Sequence, residues 1–379
     1  MDLVFNDEQR FIREEARRFL ADKSASERVR QTVNAGTGFD AGLWSAIAGE
    51  LGWCAMAVPE AHDGLGLGKT ELAILMEAAG ERLAAVPLWS TICAGVPLLL
   101  AVASDEARQH YLPRIAAGEI AVAVAWGNAG AVDPLSATAV VAEATEAGYR
   151  LGGRVAQVID LEAADVVLVP ARLGEDLALF ALERDAGHEV RRLETLDGTR
   201  QIGELTMRGL AVCAQSRLDG GAYTGRDVAG AVATAQLGLA AEQVGAARGV
   251  MDVTLAYVAE RVQFGRTIAS FQAVKHRCAR LEVDLAEARA LVYGAAATLE
   301  AGLGAETARE VSAARALASD LLFRASEEAI QLHGGVGFTW EYDPHLYFKR
   351  AQAACSLLGS PEDHLAVIAA GMFEEGAAA

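Results

Sequence analysis

The sequence predicts an α+β chain of three successive units: helices over residues 1–119, an antiparallel β-barrel or sandwich over 120–226, and helices again over 227–379. Three observations carry this. A chain of 379 residues is longer than a single core usually serves. β-rich runs at 120–126, 137–144, 149–159, 165–170, 177–182 and 201–210 are separated by Gly and Asp turns, with no helical stretch between them, a spacing typical of antiparallel strands. From about Arg226 the texture changes to long runs of Ala, Leu, Val and Glu.

In chain order, Asn6 with Gln9 forms a capping box, and Phe11, Ile12, Phe19 and Leu20 draw an apolar stripe along the first helix. Val58-Pro59-Glu60 and Gly64-Leu65-Gly66-Leu67-Gly68 read as a loop. Thr70 is the expected cap of a helix reaching about Leu83, and further helix precedes Gly118-Glu119. Apolar residues make up 52% of the chain, enough for a large core. The longest nearly unbroken apolar run, Cys93 to Ala103, is too short to span a bilayer. The start, Met1-Asp2-Leu3-Val4-Phe5-Asn6-Asp7-Glu8, has neither a basic region nor an apolar signal core. The expectation is a cytoplasmic protein without membrane insertion.

The chain carries 51 acidic against 33 basic residues, net −18. Such a field repels nucleic acid and anionic lipid, so neither is an expected partner. An anionic ligand would need local Arg, Lys or helix N-termini. Cys54, Cys93, Cys213, Cys278 and Cys355 are far apart and read as buried small hydrophobes in a reducing compartment. The seven histidines lack ligand spacing, so no metal is expected. No strand leads into a Gly-x-Gly-x-x-Gly helix start, so no dinucleotide is held by a Rossmann unit.

Two stretches stand apart from the alanine-rich helices around them. One is Arg261-Val262-Gln263-Phe264-Gly265-Arg266 with Ile268, Phe271-Gln272 and His276; the other is Gln331-Leu332-His333-Gly334-Gly335-Val336-Gly337-Phe338. A structural helix has no need of Phe-Gly or Gly-Gly, so these residues suggest a polar ligand meeting a helix end. Arg261 closes a long helix beginning near Ala229, where its guanidinium can grip a pyrophosphate in fork geometry. Its plainer reading is a C-terminal cation answering the helix dipole. The plainer reading of Gly334-Gly335 is a helix break, and His333 reads as a core histidine.

Together these segments closely resemble the signatures of the acyl-CoA dehydrogenase family, flavoproteins that oxidise acyl-CoA thioesters to 2-enoyl-CoA. The likeness runs along nearly the whole chain. It implies that the C-terminal helices form a four-helix bundle and that the cofactor is FAD, bound mainly by a neighbouring subunit. The residues it places at FAD are Arg261, Gln263, Phe264, Ile268, Phe271, Gln272, Gln331, Leu332, Gly334, Gly335 and Ser360. It also implies a homodimer, homotetramer or heterotetramer, and an electron-transfer flavoprotein as electron acceptor.

The chain departs from that pattern where the chemistry lies. The family's usual glutamate base, just before a Gly-Thr, is replaced in Ser356-Leu357-Leu358-Gly359-Ser360-Pro361 by Leu358. A subset of the family carries its base on the preceding long helix, and that slot falls at Ala235. Glu242 lies seven residues on, close to two turns, on nearly the same face. In a dry pocket its pKa would rise towards neutrality and suit a base for an acidic C–H; the alternative is an exposed helix residue. The family's flavin-ring loop, usually rich in hydroxyls, reads here Ala125-Trp126-Gly127-Asn128-Ala129-Gly130-Ala131-Val132-Asp133-Pro134. The second ring segment reads Gly153-Arg154-Val155-Ala156-Gln157-Val158-Ile159-Asp160. Three functions follow: an FAD-dependent acyl-CoA dehydrogenase with Glu242 as base; a partner subunit completing the FAD site of a catalytic sister chain; and a flavin monooxygenase or nitroalkane oxidase on the same scaffold.

Overall fold

A computed structural model describes residues 5–135, 138–221 and 223–377. Met1–Val4 of the N-terminal stretch, and Ala137 at the start of the second expected strand, lie outside the described residues.

The first unit contains α1 (Asp7–Lys23), α2 (Ser26–Asn34), α3 (Ala41–Ser45), α4 (Lys69–Glu81), α5 (Val96–Val102) and α6 (Asp105–Ala116), with π-helical turns at Ala46–Glu50 and Trp89–Gly95. The α1 capping box forms as expected: Gln9 N–H donates to Asn6 Oδ1 at 2.8 Å, and Asn6 N–H to Gln9 Oε1 at 3.1 Å. Along the stripe Leu20 is buried, Ile12 and Phe19 pack against the core, and Phe11 stays exposed. Thr70 is not the α4 cap. Gly68 occupies that position, its N–H donating to Glu71 Oε2 at 3.0 Å, and Lys69 N–H donates to Glu300 Oε2 at 2.6 Å. Carboxylates one turn on and from a distant helix thus satisfy the donors that a hydroxyl was expected to meet.

The central unit is a curled seven-stranded sheet of β1 (Val122–Val124), β2 (Val141–Thr145), β3 (Gly148–Ile159), β4 (Val166–Leu173), β5 (Asp176–Glu183), β6 (Glu189–Arg192) and β7 (Ile202–Cys213). The order is β1-β4-β2-β3-β7-β6, with β5 also on β4. Pairings are antiparallel except β1–β4 and β2–β4, which are parallel. Val140, Leu151, Val155, Val169, Phe180 and Leu205 belong to a core of its own on one face.

The last unit comprises α7 (Gly225–Glu260), the small hairpin β8 (Val262–Gln263) and β9 (Arg266–Thr267), α8 (Gln272–Glu300), α9 (Ala305–His333), α10 (Pro344–Ala354) and α11 (Pro361–Ala377). Glycines bring α4 and α7 together backbone to backbone. A Cβ on Gly80 would fall 1.9 Å from the Glu242 carbonyl oxygen, one on Gly245 1.8 Å from that of Glu77, and one on Gly249 2.2 Å from that of Glu81. Among the described residues no helix is long and apolar enough to cross a membrane. Cys54 and Cys93 are buried as expected, but Cys213 is exposed and Cys278 and Cys355 are half-buried, because each of these three lies on a partly solvated face.

Candidate functional site

The two C-terminal motifs meet at one end of the bundle. Tyr257, in the last turn of α7, stacks on His333 at the end of α9, with centroids 4.2 Å apart, and its hydroxyl donates to the His333 carbonyl at 3.3 Å. Arg277 near the start of α8 pairs with Glu328 of α9 at 3.0 Å. Arg261 caps α7 with an exposed side chain. In the hairpin that follows, Phe264 takes a left-handed backbone (φ 53°) and is 92% exposed. Phe271 meets it edge-on, and the Arg266 guanidinium lies 4.0 Å over the Phe271 ring. Gln263 and Gln272 are exposed; Ile268 and Phe271 are half-buried.

On α9, Gln331 is exposed in the last turn and Leu332 is half-buried beneath it. Gly334 stops the helix at φ 64°, a conformation that glycine adopts without a Cβ clash, and the space beside Gly334 and Gly335 is open. A cavity of about 350 Å³ lies here, lined by Gln331, Gly334, Gly335 and Phe338 among others. His333 is buried, with Nδ1 2.7 Å from the Ala329 carbonyl and its pKa lowered by burial, which is the core-histidine reading. An exposed guanidinium, two carboxamides and bare glycine backbone are donors that a pyrophosphate can use. This end of the bundle therefore fits the adenosine-pyrophosphate half of FAD.

Ser360 is not part of that surface. It caps α11, exchanging hydrogen bonds with Asp363 (Oγ to Oδ2, 2.8 Å), and belongs to the α10–α11 loop. That loop is pinned from several sides. Leu358 N–H donates to the Ala129 carbonyl at 2.7 Å. Gln236 Nε2 donates to the carbonyls of Val132 (3.0 Å) and Leu358 (3.3 Å). Arg315, fully buried, donates to the Leu357 carbonyl at 2.7 Å. The loop expected at a flavin ring and the segment expected to hold a base are thus hydrogen-bonded to each other. The alternative base slot is also filled: Ala235 is fully buried, and its carbonyl accepts the Trp89 indole N–H at 3.0 Å.

Glu242 is only 4% exposed, and its surroundings overturn the expected raised pKa. Arg200 Nη2 donates to both its oxygens at 2.6 and 2.5 Å, and Arg350 Nη1 to Oε1 at 2.7 Å. Arg350 also holds Asp197 (2.5 Å) and Thr199 Oγ1 (2.6 Å). Burial alone would push the Glu242 carboxyl up, but the two guanidiniums outweigh it and hold the group below the usual carboxylate range. Asp160, at the end of β3, is buried beside this network and accepts from Ser90 Oγ at 2.7 Å; burial pushes its pKa up to about 6. The arginines at Glu242 carried no local signal: Arg200 is 42 residues before it and Arg350 108 after.

Comparison with known proteins agrees with this architecture. Models of the acyl-CoA dehydrogenase N-terminal and C-terminal domains match residues 6–119 and 226–373. The chain is 31% identical to the acyl-CoA dehydrogenase IpdE2 of Mycolicibacterium smegmatis, over 97% of this chain and 100% of that protein. It is 32% identical to IpdE2 of Mycobacterium tuberculosis, over 95% of each. Among solved structures it superposes on a chain of the ChsE4–ChsE5 complex of Mycobacterium tuberculosis with a TM-score of 0.88 and 27% identity, covering 99% of both. With matched domains at both ends and full-length relatives above 30% identity, the chain belongs to the acyl-CoA dehydrogenase family of oxidoreductases.

Proposed function

We propose that this chain takes part in FAD-dependent α,β-dehydrogenation of an acyl-CoA thioester by holding the adenosine-pyrophosphate end of an FAD shared with a neighbouring subunit. The observation that carries this reading is the convergence of both C-terminal motifs on one end of the bundle. There Arg261 would clamp the pyrophosphate, Gln331 and the Gly334-Gly335 backbone would lie along it, and Phe264, Phe271, Ile268 and Leu332 would cover its flank, with Gln263 and Gln272 as further amide contacts. FAD, when bound, supplies the hydride acceptor that no protein side chain can provide. An electron-transfer flavoprotein would then receive the electrons.

A specific observation favours a heteromer over a self-sufficient homomer. Leu358 and Ala235 occupy the two base slots, and Glu242 is committed to arginines, so none of these three positions offers a free carboxylate base. The base would then come from a sister subunit, in an assembly of unlike chains like the ChsE4–ChsE5 complex. Ser360, which caps α11 in the α10–α11 loop, would meet the cofactor only through that loop.

The test is flavin stoichiometry and turnover. The chain produced alone is expected to be colourless and inactive on any acyl-CoA. Co-produced with its sister, the complex is expected to carry one FAD per two chains and to bleach on anaerobic addition of substrate. A yellow homomer with one FAD per chain that bleaches with acyl-CoA would overturn the heteromer reading. A complex without flavin would overturn the whole assignment.

A further inference from the structure

In a chain of net charge −18, arginines gather on one side of the contact between α1 and α4. A cleft of about 410 Å³ there is lined by Arg13, Glu14, Arg17 and Arg18 of α1, by Glu81, the last residue of α4, and by Arg82, its C-cap. Arg13 and Arg17 are four residues apart and so project from one face of α1. On this lining four guanidiniums meet two carboxylates, a local charge of +2. The lining holds no apolar side chain, so the cleft suits a compact, hydrated anion rather than an apolar ligand.

The four arginines are not equally engaged. Arg17 grips Glu81 through Nε and Nη2 at 2.8 and 2.9 Å, and Arg18 pairs with Glu15. Glu14 is exposed, and Asp252 of α7 lies with Arg248 at 3.4 Å. Arg13 and Arg82 have no carboxylate within salt-bridge reach among the described residues; Arg13 rests 5.2 Å over the Phe5 ring. Both are half-buried, yet only Arg82 Nε is sealed from solvent. Both Nη atoms of Arg82 and all the guanidinium nitrogens of Arg13 remain reachable and donate to no protein acceptor. The dipole of α4 attracts a cation to its last carbonyls, which accounts for Arg82 alone. Two cations on one cleft without a counter-charge repel each other, and a shared anion removes that repulsion.

We propose that this cleft is a phosphate site, in which Arg13 from α1 and Arg82 from the end of α4 hold a phosphate dianion between them. Two uncommitted guanidiniums match the double charge of a phosphate group, and their planar forks match its oxygens. A carboxylate would leave one of the two cations unanswered. Free phosphate and a phosphate monoester offer the same chemistry. A neighbouring cavity of about 490 Å³ shares Arg13 and is walled in part by Phe5, Leu285 and Tyr293, which would receive the body of an ester. The ligand would tie α1 to the end of α4 and so stabilise the N-terminal unit.

The probes are inorganic phosphate and phenyl phosphate, with acetate and chloride as singly charged controls, titrated calorimetrically into the full-length chain at constant ionic strength and followed by thermal melting. Both phosphates are expected to bind with Kd of about 1 mM or tighter and to raise the melting temperature, while acetate and chloride do neither. Tighter binding of phenyl phosphate marks a monoester as the ligand and equal binding marks free phosphate; either result upholds the site. Arg13→Gln and Arg82→Gln should each weaken phosphate about tenfold or more. Circular dichroism verifies that the variants are folded, and should Arg82→Gln fail to fold, Arg13→Gln decides alone. Arg261→Ala, at the flavin end, should leave phosphate binding unchanged, which separates this site from that one. Absence of phosphate binding, an equal response to acetate or chloride, unchanged affinity in folded Arg13→Gln, or loss of binding in Arg261→Ala would each refute the proposal.

Discussion

Replacing Glu242 by glutamine tests whether this residue is a base or the centre of a buried charge network. The side chains of Arg200 and Arg350 that grip it are 7% and 2% exposed. The amide keeps the shape of the carboxylate but removes its charge, so two desolvated guanidiniums lose a counter-ion together. Arg350 retains Asp197; Arg200 retains no carboxylate within salt-bridge reach among the described residues. Removing one partner of a buried ion pair typically costs about 3–5 kcal/mol, and the surviving Arg350–Asp197 pair argues for the lower part of that range. Urea unfolding at pH 7 reads this directly as a lowered midpoint. Arg200→Gln added to Glu242→Gln removes the stranded charge, so the double variant should be more stable than the sum of the singles by about 1–3 kcal/mol. A Glu242→Gln protein as stable as the parent would refute the network argument. If that stable variant, assembled with its sister chain, also lost about 10²–10⁴-fold in dehydrogenation, Glu242 would be the base after all.

Three further outcomes are expected. Arg261→Ala should weaken flavin binding to the assembled protein by about 1.5–3 kcal/mol, read by equilibrium dialysis; unchanged affinity would remove Arg261 from the site. The folded-state pKa of Asp160, about 6, lies above the value of an unfolded aspartate, so its contribution to stability is full below about pH 4 and is lost as pH rises through about 6. Asp160→Asn should therefore be more stable than the parent at pH 8 and lack that decline; an identical stability–pH profile in parent and variant would show the carboxyl to be unperturbed. Gly245→Ala should cost more than the usual overpacking penalty of about 1–3 kcal/mol, since its Cβ would sit 1.8 Å from a backbone carbonyl; wild-type thermal stability would mean that α4 and α7 are not in contact there.

The parts of the fold that were legible in the sequence are those written locally. The Asn6–Gln9 box is a three-residue spacing, α7 is a long alanine-rich run closed by Arg261, and both glycine motifs announce helix ends by residue type alone. What escaped was written across distance. β6, Glu189-Val190-Arg191-Arg192, is exposed throughout and has no alternation to betray it; only pairing with β7 makes it a strand. The parallel β1–β4 and β2–β4 contacts could not be read from apolar runs that carry no direction. Glu242 is legible as an isolated acid, but its pairing with Arg200 and Arg350 depends on the central and last units folding against each other. The Leu358–Ala129 bond likewise joins segments more than two hundred residues apart.

The glycine seam between α4 and α7 bears on how this subunit can change over time. Where two helices meet carbonyl to Cα, point substitution can only add atoms to space that is already full. Making room there requires moving a rod of 36 residues, whose displacement would drag Glu242, Gln236 and the cap at Arg261 with it. The seam is therefore an evolutionary ratchet: new ligand preferences can enter this chain through its loops and its outer cavities, while the helical interior stays fixed.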